Sequence, residues 1–202
     1  MINWISMILS PVISIVAIFI SNWLGRKSER ITYQLNTQKA AYENFYIPLM
    51  KRLIQANKDA LTYYFFVGIW YGAPSPANIS RDFLNDLLRD NLEYLPREIV
   101  ELVPDYSVAT SGAKMFFGND GYRENYREKL VLASDLFDKI IESSLKEASR
   151  LAKTLGYPDI ASPILESFLH IEYTDMNYPR YLPEIYQKHS PRQFVGEEPP
   201  YY

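Results

Sequence analysis

The sequence predicts an all-α protein that begins with a transmembrane helix, continues as a cytoplasmic bundle of about five helices and ends in an extended tail rich in Pro and Tyr. Three observations predict this class. Residues 2–24 carry no charged side chain, apolar residues recur every three or four positions in much of the chain after residue 25, and prolines and tyrosines accumulate after Asp175. We therefore divide the chain into an anchor, 1–25, a helical domain, 26–174, and a tail, 175–202.

The anchor is predicted from the uncharged run Ile2–Leu24. A helix of this length spans about 34 Å, and the hydrocarbon core of a bilayer is about 30 Å thick, so one crossing fits with a slight tilt. A cleaved signal peptide is the main alternative, but it would need a basic start, a shorter apolar core and small residues at a cleavage site. An uncleaved anchor fits this stretch better.

The flanks of this run predict where the membrane interface lies and how the chain is oriented. Tryptophan favours headgroup depth, and Lys and Arg are enriched on the cytoplasmic side. Basic residues follow the run at once, and none precedes it. We therefore expect the N-terminus outside the cell and the C-terminal domain in the cytoplasm. The predicted interface anchors are Trp4, Trp23, Arg26, Lys27 and Arg30.

A row of serines within the anchor indicates a helix–helix contact. Ser6, Ser10 and Ser14 recur every four residues, and Ser21 continues the row approximately. Small residues at this spacing share one helical face, let two backbones approach closely and offer hydroxyl groups for bonds between helices. The alternative is that each hydroxyl bonds to a carbonyl of its own helix. We expect these four serines to be packing residues of the membrane helix.

Charge and composition restrict the function classes. The chain has no cysteine, which excludes disulfides, thiolate catalysis and Cys-based zinc sites. Residues 26–58 hold seven basic and two acidic side chains, a net charge of +5, whereas residues 59–202 hold 14 basic and 22 acidic ones, a net charge of −8. The basic part suits an anionic inner leaflet, and the acidic body makes nucleic acid an unsuitable partner.

Helical periodicity predicts the elements of the bundle in order. Residues 26–66 form a long amphipathic helix that Pro48 kinks or breaks. The apolar stretch 60–73 is too short to span a membrane and is expected in the core, with contact to the membrane interface as the alternative. Further helices follow, with the approximate bounds 80–94, 96–103 and 122–155, and a last helix begins at residue 162 and ends near His170 or Glu172.

Local signals mark the ends of these helices. Ser80 is expected to cap the helix 80–94, and Gly156 is expected to end the helix 122–155. Pro104 is expected to end a helix or to begin a new turn. Ser111-Gly112 and the glycines around Asp120 predict turns between 105 and 121.

A short aromatic motif follows the basic flank, made of Tyr42, Phe45, Tyr46, Pro48 and Leu49. This arrangement resembles small single-pass, membrane-anchored helical proteins of bacteria and their prophages, most of which have no known activity. The resemblance implies a single-pass topology and a bacterial or prophage origin. It also implies phage exclusion or defence as a setting.

Two patterns invite a catalytic or metal-binding interpretation. His170 follows Glu166 by four residues, but a di-iron bundle needs two Glu-x-x-His pairs and further carboxylates, so a helix-capping or core histidine fits better. Glu128, Asp135 and Glu142 recur every seven residues, yet Lys and Arg lie between them, which is typical of a salt-bridged, solvated face. We therefore expect no enzyme activity, cofactor, metal or small-molecule substrate.

These observations favour a membrane-anchored helical protein-interaction module at the inner face of the membrane. Its partners would be the membrane and either another protein or a second copy, through the membrane helix, and it would bind no nucleic acid. One alternative is an oligomeric effector that perturbs the membrane by rearranging its anchors. Another is an enzyme whose site carries no recognisable motif.

Overall fold

The structure is a computed structural model that describes several separate stretches of the chain. It forms two compact units, Met1–Lys39 and Ala40–Tyr202. The domain boundaries expected from the sequence, after residues 25 and 174, remain predictions. The backbone is described for residues 4–55, 82–116, 123–172 and 193–195, and the side chains for residues 17–55, 82–115 and 128–170.

Helix α1, Trp4–Ala41, is a single α-helix that includes Pro11 and Gly25. Its sequence changes within this length from the uncharged run to a mixed polar stretch, where the Thr37 hydroxyl donates to the main-chain oxygen of Tyr33 at 3.0 Å. Among the described residues, no helix combines the length and the apolar composition that a membrane crossing requires.

A π-helical turn, Tyr42–Tyr46, separates α1 from α2, which is Ile47–Gln55. The N–H of Ile47 bonds to the carbonyl of Tyr42, five residues back. Pro48 explains this wider turn, because it has no N–H to donate and its ring would clash with the carbonyl four residues earlier in a regular helix. The interruption predicted at Pro48 is therefore confirmed, and residues 56–66 of the predicted helix lie outside the described part.

Helix α3, Phe83–Arg89, is shorter than the predicted 80–94 helix, and a separate 3-10 turn follows at Leu92–Tyr94. Ser80, the predicted cap, lies outside the described residues. Asp82 immediately precedes the helix and forms a salt bridge with Lys114 of the next helix. The side-chain amide of Asn85 adds a second polar link between the two helices by donating to the Thr110 hydroxyl at 3.0 Å.

Helix α4, Arg97–Phe116, corrects the prediction of a short helix followed by turns. It passes through Pro104 and the Ser111-Gly112 pair without a break. Its small residues Ala109 and Ala113 are fully buried, and it packs against the helix that follows. Of the pair that locally indicates a turn, Ser111 is exposed, whereas Gly112 lies so close to the Lys129 side chain of the next helix that an added Cβ would be 3.3 Å from its Cγ. Contacts from outside the segment therefore favour the helix.

Helix α5, Arg123–Leu155, is the centre of the domain and packs against α4, the π-helical turn and α6, Ala161–Leu169. The predicted three-four stripe is buried from Leu130 to Leu151. Gly156 ends the helix with a φ of 73°, a conformation that costs glycine little because it has no Cβ. The N–H groups of Gly156 and Tyr157 bond back to Lys153 and Ala152, which completes a Schellman motif.

Two three-residue strands follow α6, and the sequence did not predict them. Strand β1, His170–Glu172, pairs in parallel with β2, Gln193–Val195. The last predicted helix therefore ends at Leu169, because the chain becomes extended at His170. The all-α class and a bundle of five α-helices after α1 are confirmed for the described residues. Of the predicted tail, only 193–195 is described, and it is extended.

Candidate interaction surface

Helix α1 exposes its apolar side chains over a contiguous stretch. Every side chain from residue 17 to residue 37 is exposed. A soluble protein can expose single apolar residues at little cost, but a contiguous group marks a surface that lipid or another protein covers. Five large apolar side chains, each exposed by 51–72%, form this group: Ile18, Phe19, Ile20, Trp23 and Leu24.

A basic cluster follows this apolar group within two turns. Arg26, Lys27 and Arg30 are all exposed. Their place at a membrane interface stays a prediction. The Lys27 ammonium lies 5.3 Å from the centre of the Trp23 ring, a cation–π contact between residues four apart. This contact joins two of the predicted interface anchors. Trp4 lies in α1, and its side chain is outside the described part.

The predicted serine row lies in α1, where a spacing of four residues places its members on one side of the helix. The side chain of Ser21 is exposed. The side chains of Ser6, Ser10 and Ser14 lie outside the described part. Their role in helix packing therefore stays a prediction.

The aromatic motif after α1 belongs to the core of the domain. Tyr42, Phe45, Tyr46 and Leu49 are each at most 3% exposed. The Phe45 and Tyr46 rings meet edge to face at 4.9 Å, and Tyr42 contacts Tyr157 at 5.5 Å. Packing in the core explains the spacing of these side chains. Because they are buried, they do not form a surface that a partner could contact.

Two buried tyrosines carry hydroxyl groups without a hydrogen-bond partner among the described residues, Tyr46 and Tyr106. Burial raises the pKa of both phenols well above the usual value, and the negative charges of Glu147 beside Tyr46 and Asp82 beside Tyr106 raise it further. Both rings therefore remain neutral at physiological pH, and their position in the core assigns them a packing role.

The acidic row on α5 forms salt bridges along its own helix. Asp135 pairs with Lys139 at 2.7 Å and Glu142 with Lys146 at 2.5 Å, each four residues apart. Glu128 is exposed. The predicted salt bridges are thus confirmed for these two pairs. The face is less solvated than the sequence predicts, because the Asp135 side chain is only 13% exposed and that of Glu142 only 21%.

His170 contacts the end of α6. Its Nδ1 lies 2.9 Å from the main-chain oxygen of Glu166, which supports the helix-capping interpretation of this residue. Within the described ranges, no group of three or more His, Cys, Asp or Glu side chains is arranged to hold a metal ion.

A polar cluster at the start of α6 was missed by the sequence reasoning. The Asp159 carboxylate accepts hydrogen bonds from the hydroxyls of Ser149 and Ser162, both at 2.7 Å, and from the Ser162 N–H at 3.1 Å. The Ser149 hydrogen bond, with help from Ser162 and the nearby Lys153, lowers the Asp159 pKa to about 2, although partial burial opposes this shift. The available signal was an Asp three residues before Ser162, which is typical of a helix N-cap.

No protein family, no curated protein and no solved structure matches the chain.

Proposed function

We propose that the chain is a membrane-anchored helical protein-interaction module whose N-terminus lies outside the cell and whose helical domain lies at the inner face of the membrane. The observation that carries this proposal is the contiguous exposed apolar group on α1, residues 18–24, which ends directly before three exposed basic residues. The same group lies at the end of the uncharged run that begins at Ile2.

The energetics favour a covered surface. Burying one large apolar side chain contributes about 1.5–3 kcal/mol, and the five on α1 are each more than half exposed, so covering them is worth roughly 5 kcal/mol. Arg26, Lys27 and Arg30 would each add about 1 kcal/mol of attraction to an anionic inner leaflet. A bilayer offers an apolar interior to the five apolar side chains and anionic headgroups to the three basic residues that follow them along the chain.

For the first half of the proposed membrane span, residues 4–16, the apolar character is known from the sequence alone. Residues 4–16 are helical, and their side chains are not among those described. A crossing would use these residues together with Ala17–Leu24, because the described apolar stretch alone is shorter than the roughly 20 residues that a bilayer requires.

The helical domain supports a binding role better than catalysis. Asp135 and Glu142 of its acidic row form salt bridges, His170 contacts a helix end, and Asp159 holds the start of α6, so these four candidate chemical groups have structural partners. The resemblance of the aromatic motif to prophage-encoded membrane proteins makes phage exclusion or defence the proposed setting, although this motif acts in the core.

A topology reporter tests the proposal. A cytoplasm-dependent reporter fused after Tyr202 should be active, and a periplasm-dependent reporter at the same position should be inactive. The opposite pair of results would overturn the orientation. Affinity capture from native membranes with the full chain should recover a protein that a chain without residues 1–25 does not recover. Equal recovery by both chains would contradict a role for the anchor in binding.

A further inference from the structure

A second pattern runs along the exposed part of α1. Leu24, Ser28, Ile31, Leu35 and Gln38 are separated by steps of four, three, four and three, which is the spacing of the inner positions of a coiled coil. We call these five residues the α1 seam. Its large apolar members are exposed, Leu24 by 51%, Ile31 by 47% and Leu35 by 39%.

The seam is uncharged, and the charges of this stretch lie elsewhere around the helix. Successive residues are about 100° apart, so Arg26, Glu29 and Arg30 lie at least about 100° from Ser28. The positions that would flank the seam in a coiled coil are Gly25, Lys27, Thr32, Gln34 and Lys39, of which Lys27 and Lys39 are charged. In a parallel pair, Lys27 would face Thr32 of the neighbouring helix and Lys39 would face Gln34, so no like charges would meet.

We propose that the occupant of the α1 seam is a second copy of this chain, aligned in parallel and in register. In such a pair each seam residue lies opposite its own counterpart, so a charged seam residue would face an equal charge. The absence of charge from the seam, with three charges on the other side of the same helix, fits this requirement. A seam for an unlike partner would have no reason to exclude charge, because a charge of the opposite sign could face it.

This inference rests on the proposed function, because the seam alone would give only weak association and a shared membrane would strengthen it. Only three of its five positions are large and apolar, so two such helices would associate weakly in solution. Anchors in one membrane hold the copies parallel and raise their effective concentration. The same spacing continues in the sequence through Ser21, Ala17, Ser14 and Ser10 into the anchor, so one face would extend across the membrane boundary.

The lack of native cysteine allows a direct test in the full chain. Single substitutions at Leu24→Cys, Ser28→Cys, Ile31→Cys and Leu35→Cys are compared with Arg26→Cys, Glu29→Cys, Arg30→Cys and Tyr33→Cys after mild oxidation of native membranes. A disulfide requires Cα atoms within about 7 Å, so the seam positions should give dimer at least about fivefold more than the others. Equal yields at both sets, no dimer at the seam, or a product whose mass is not twice that of the chain would overturn the inference.

A matched pair of second substitutions separates seam contact from mere proximity. In the Ser28→Cys background, Leu35→Lys places a charge in the seam and should lower the dimer yield about tenfold, because like charges would meet. Tyr33→Lys changes an exposed aromatic residue outside the seam and should leave the yield unchanged. Equal yields in the two variants would contradict the inference. Recovery of the chain in the membrane fraction is scored on the same samples, and loss from that fraction contradicts the proposed function instead.

Discussion

Replacing Asp159 by Asn should destabilise the helical domain by roughly 2 kcal/mol near neutral pH. The folded protein lowers the pKa of this carboxyl from 3.8 to about 2, and a shift of this size corresponds to roughly 2 kcal/mol of stability. Asparagine keeps an oxygen for the Ser162 N–H but removes the charge that the two serine hydroxyls and Lys153 stabilise. The side chain is only 23% exposed, so solvent screens these interactions incompletely.

The pH dependence gives this prediction a definite sign. Because the folded-state pKa of Asp159 lies below the unfolded value of 3.8, the contribution is complete well above that pH and is lost as the pH falls through about 2. The stability difference between the wild-type chain and Asp159→Asn should therefore shrink on acidification. Urea-induced unfolding of both full chains in the same detergent, followed by near-ultraviolet circular dichroism, measures this difference.

Asp86→Asn is the matched control for this experiment. Asp86 pairs with Arg89 at 3.0 Å, but its side chain is 53% exposed, so its removal should cost less than about 0.5 kcal/mol. If the two variants lose the same stability near neutral pH, the assignment of Asp159 as a structural anchor of α6 is wrong. The same conclusion follows if the Asp159→Asn difference persists undiminished at acidic pH.

Two further predictions concern the stability of the domain. Phe45→Ala removes a fully buried ring in the π-helical turn and should lower the free energy of unfolding by about 3–5 kcal/mol. The control, Tyr33→Ala, changes a side chain that is 74% exposed and should alter the stability by less than about 0.5 kcal/mol. Thermal unfolding compares the two variants, and equal melting temperatures would refute the core assignment of Phe45. Gly156→Ala places a residue with a Cβ at a φ of 73° and should lower the free energy of unfolding by about 1 kcal/mol. The control is Gly25→Ala, which should cause no loss of stability, because no atom lies within 4 Å of the added Cβ. Equal losses of stability in the two variants would contradict the Schellman motif at Gly156.

The sequence predicts best the bounds of those elements that depend on residues within or directly beside the element. The predicted and observed bounds of the longest helix, 122–155 and Arg123–Leu155, nearly coincide, because a three-four apolar stripe continues over its whole length and Gly156 marks its end. Pro48 likewise determines the interruption after α1, although the sequence could not distinguish a π-helical turn from a kink.

The errors arise where distant contacts override local preference. Ser111-Gly112 indicates a turn when read alone, but packing against α5 keeps α4 helical through both residues. The pairing of His170–Glu172 with Gln193–Val195 depends on residues about 20 positions apart, and three-residue strands are too short to show a period of two.

The residues of the candidate surface could be selected from the sequence, because charge-free and basic stretches are visible there. Trp23, Arg26, Lys27 and Arg30 are exposed, and their place at a membrane interface stays a prediction. The aromatic motif was recognised by resemblance. Three of its members, Tyr42, Phe45 and Leu49, also lie on the apolar stripe of the predicted 26–66 helix, and their burial agrees with that stripe, whereas the burial of Tyr46 was not predicted. Asp159 was missed because its importance comes from Ser149, ten residues earlier on another helix.

Alkaline extraction of native membranes tests the proposed anchor most directly. The full chain and a chain without residues 2–24 are expressed in parallel, and each is assayed in the membrane pellet and in the supernatant after extraction. The anchor proposal predicts that the full chain stays in the pellet and that the shortened chain moves to the supernatant. Release of the full chain into the supernatant would contradict a membrane-spanning α1.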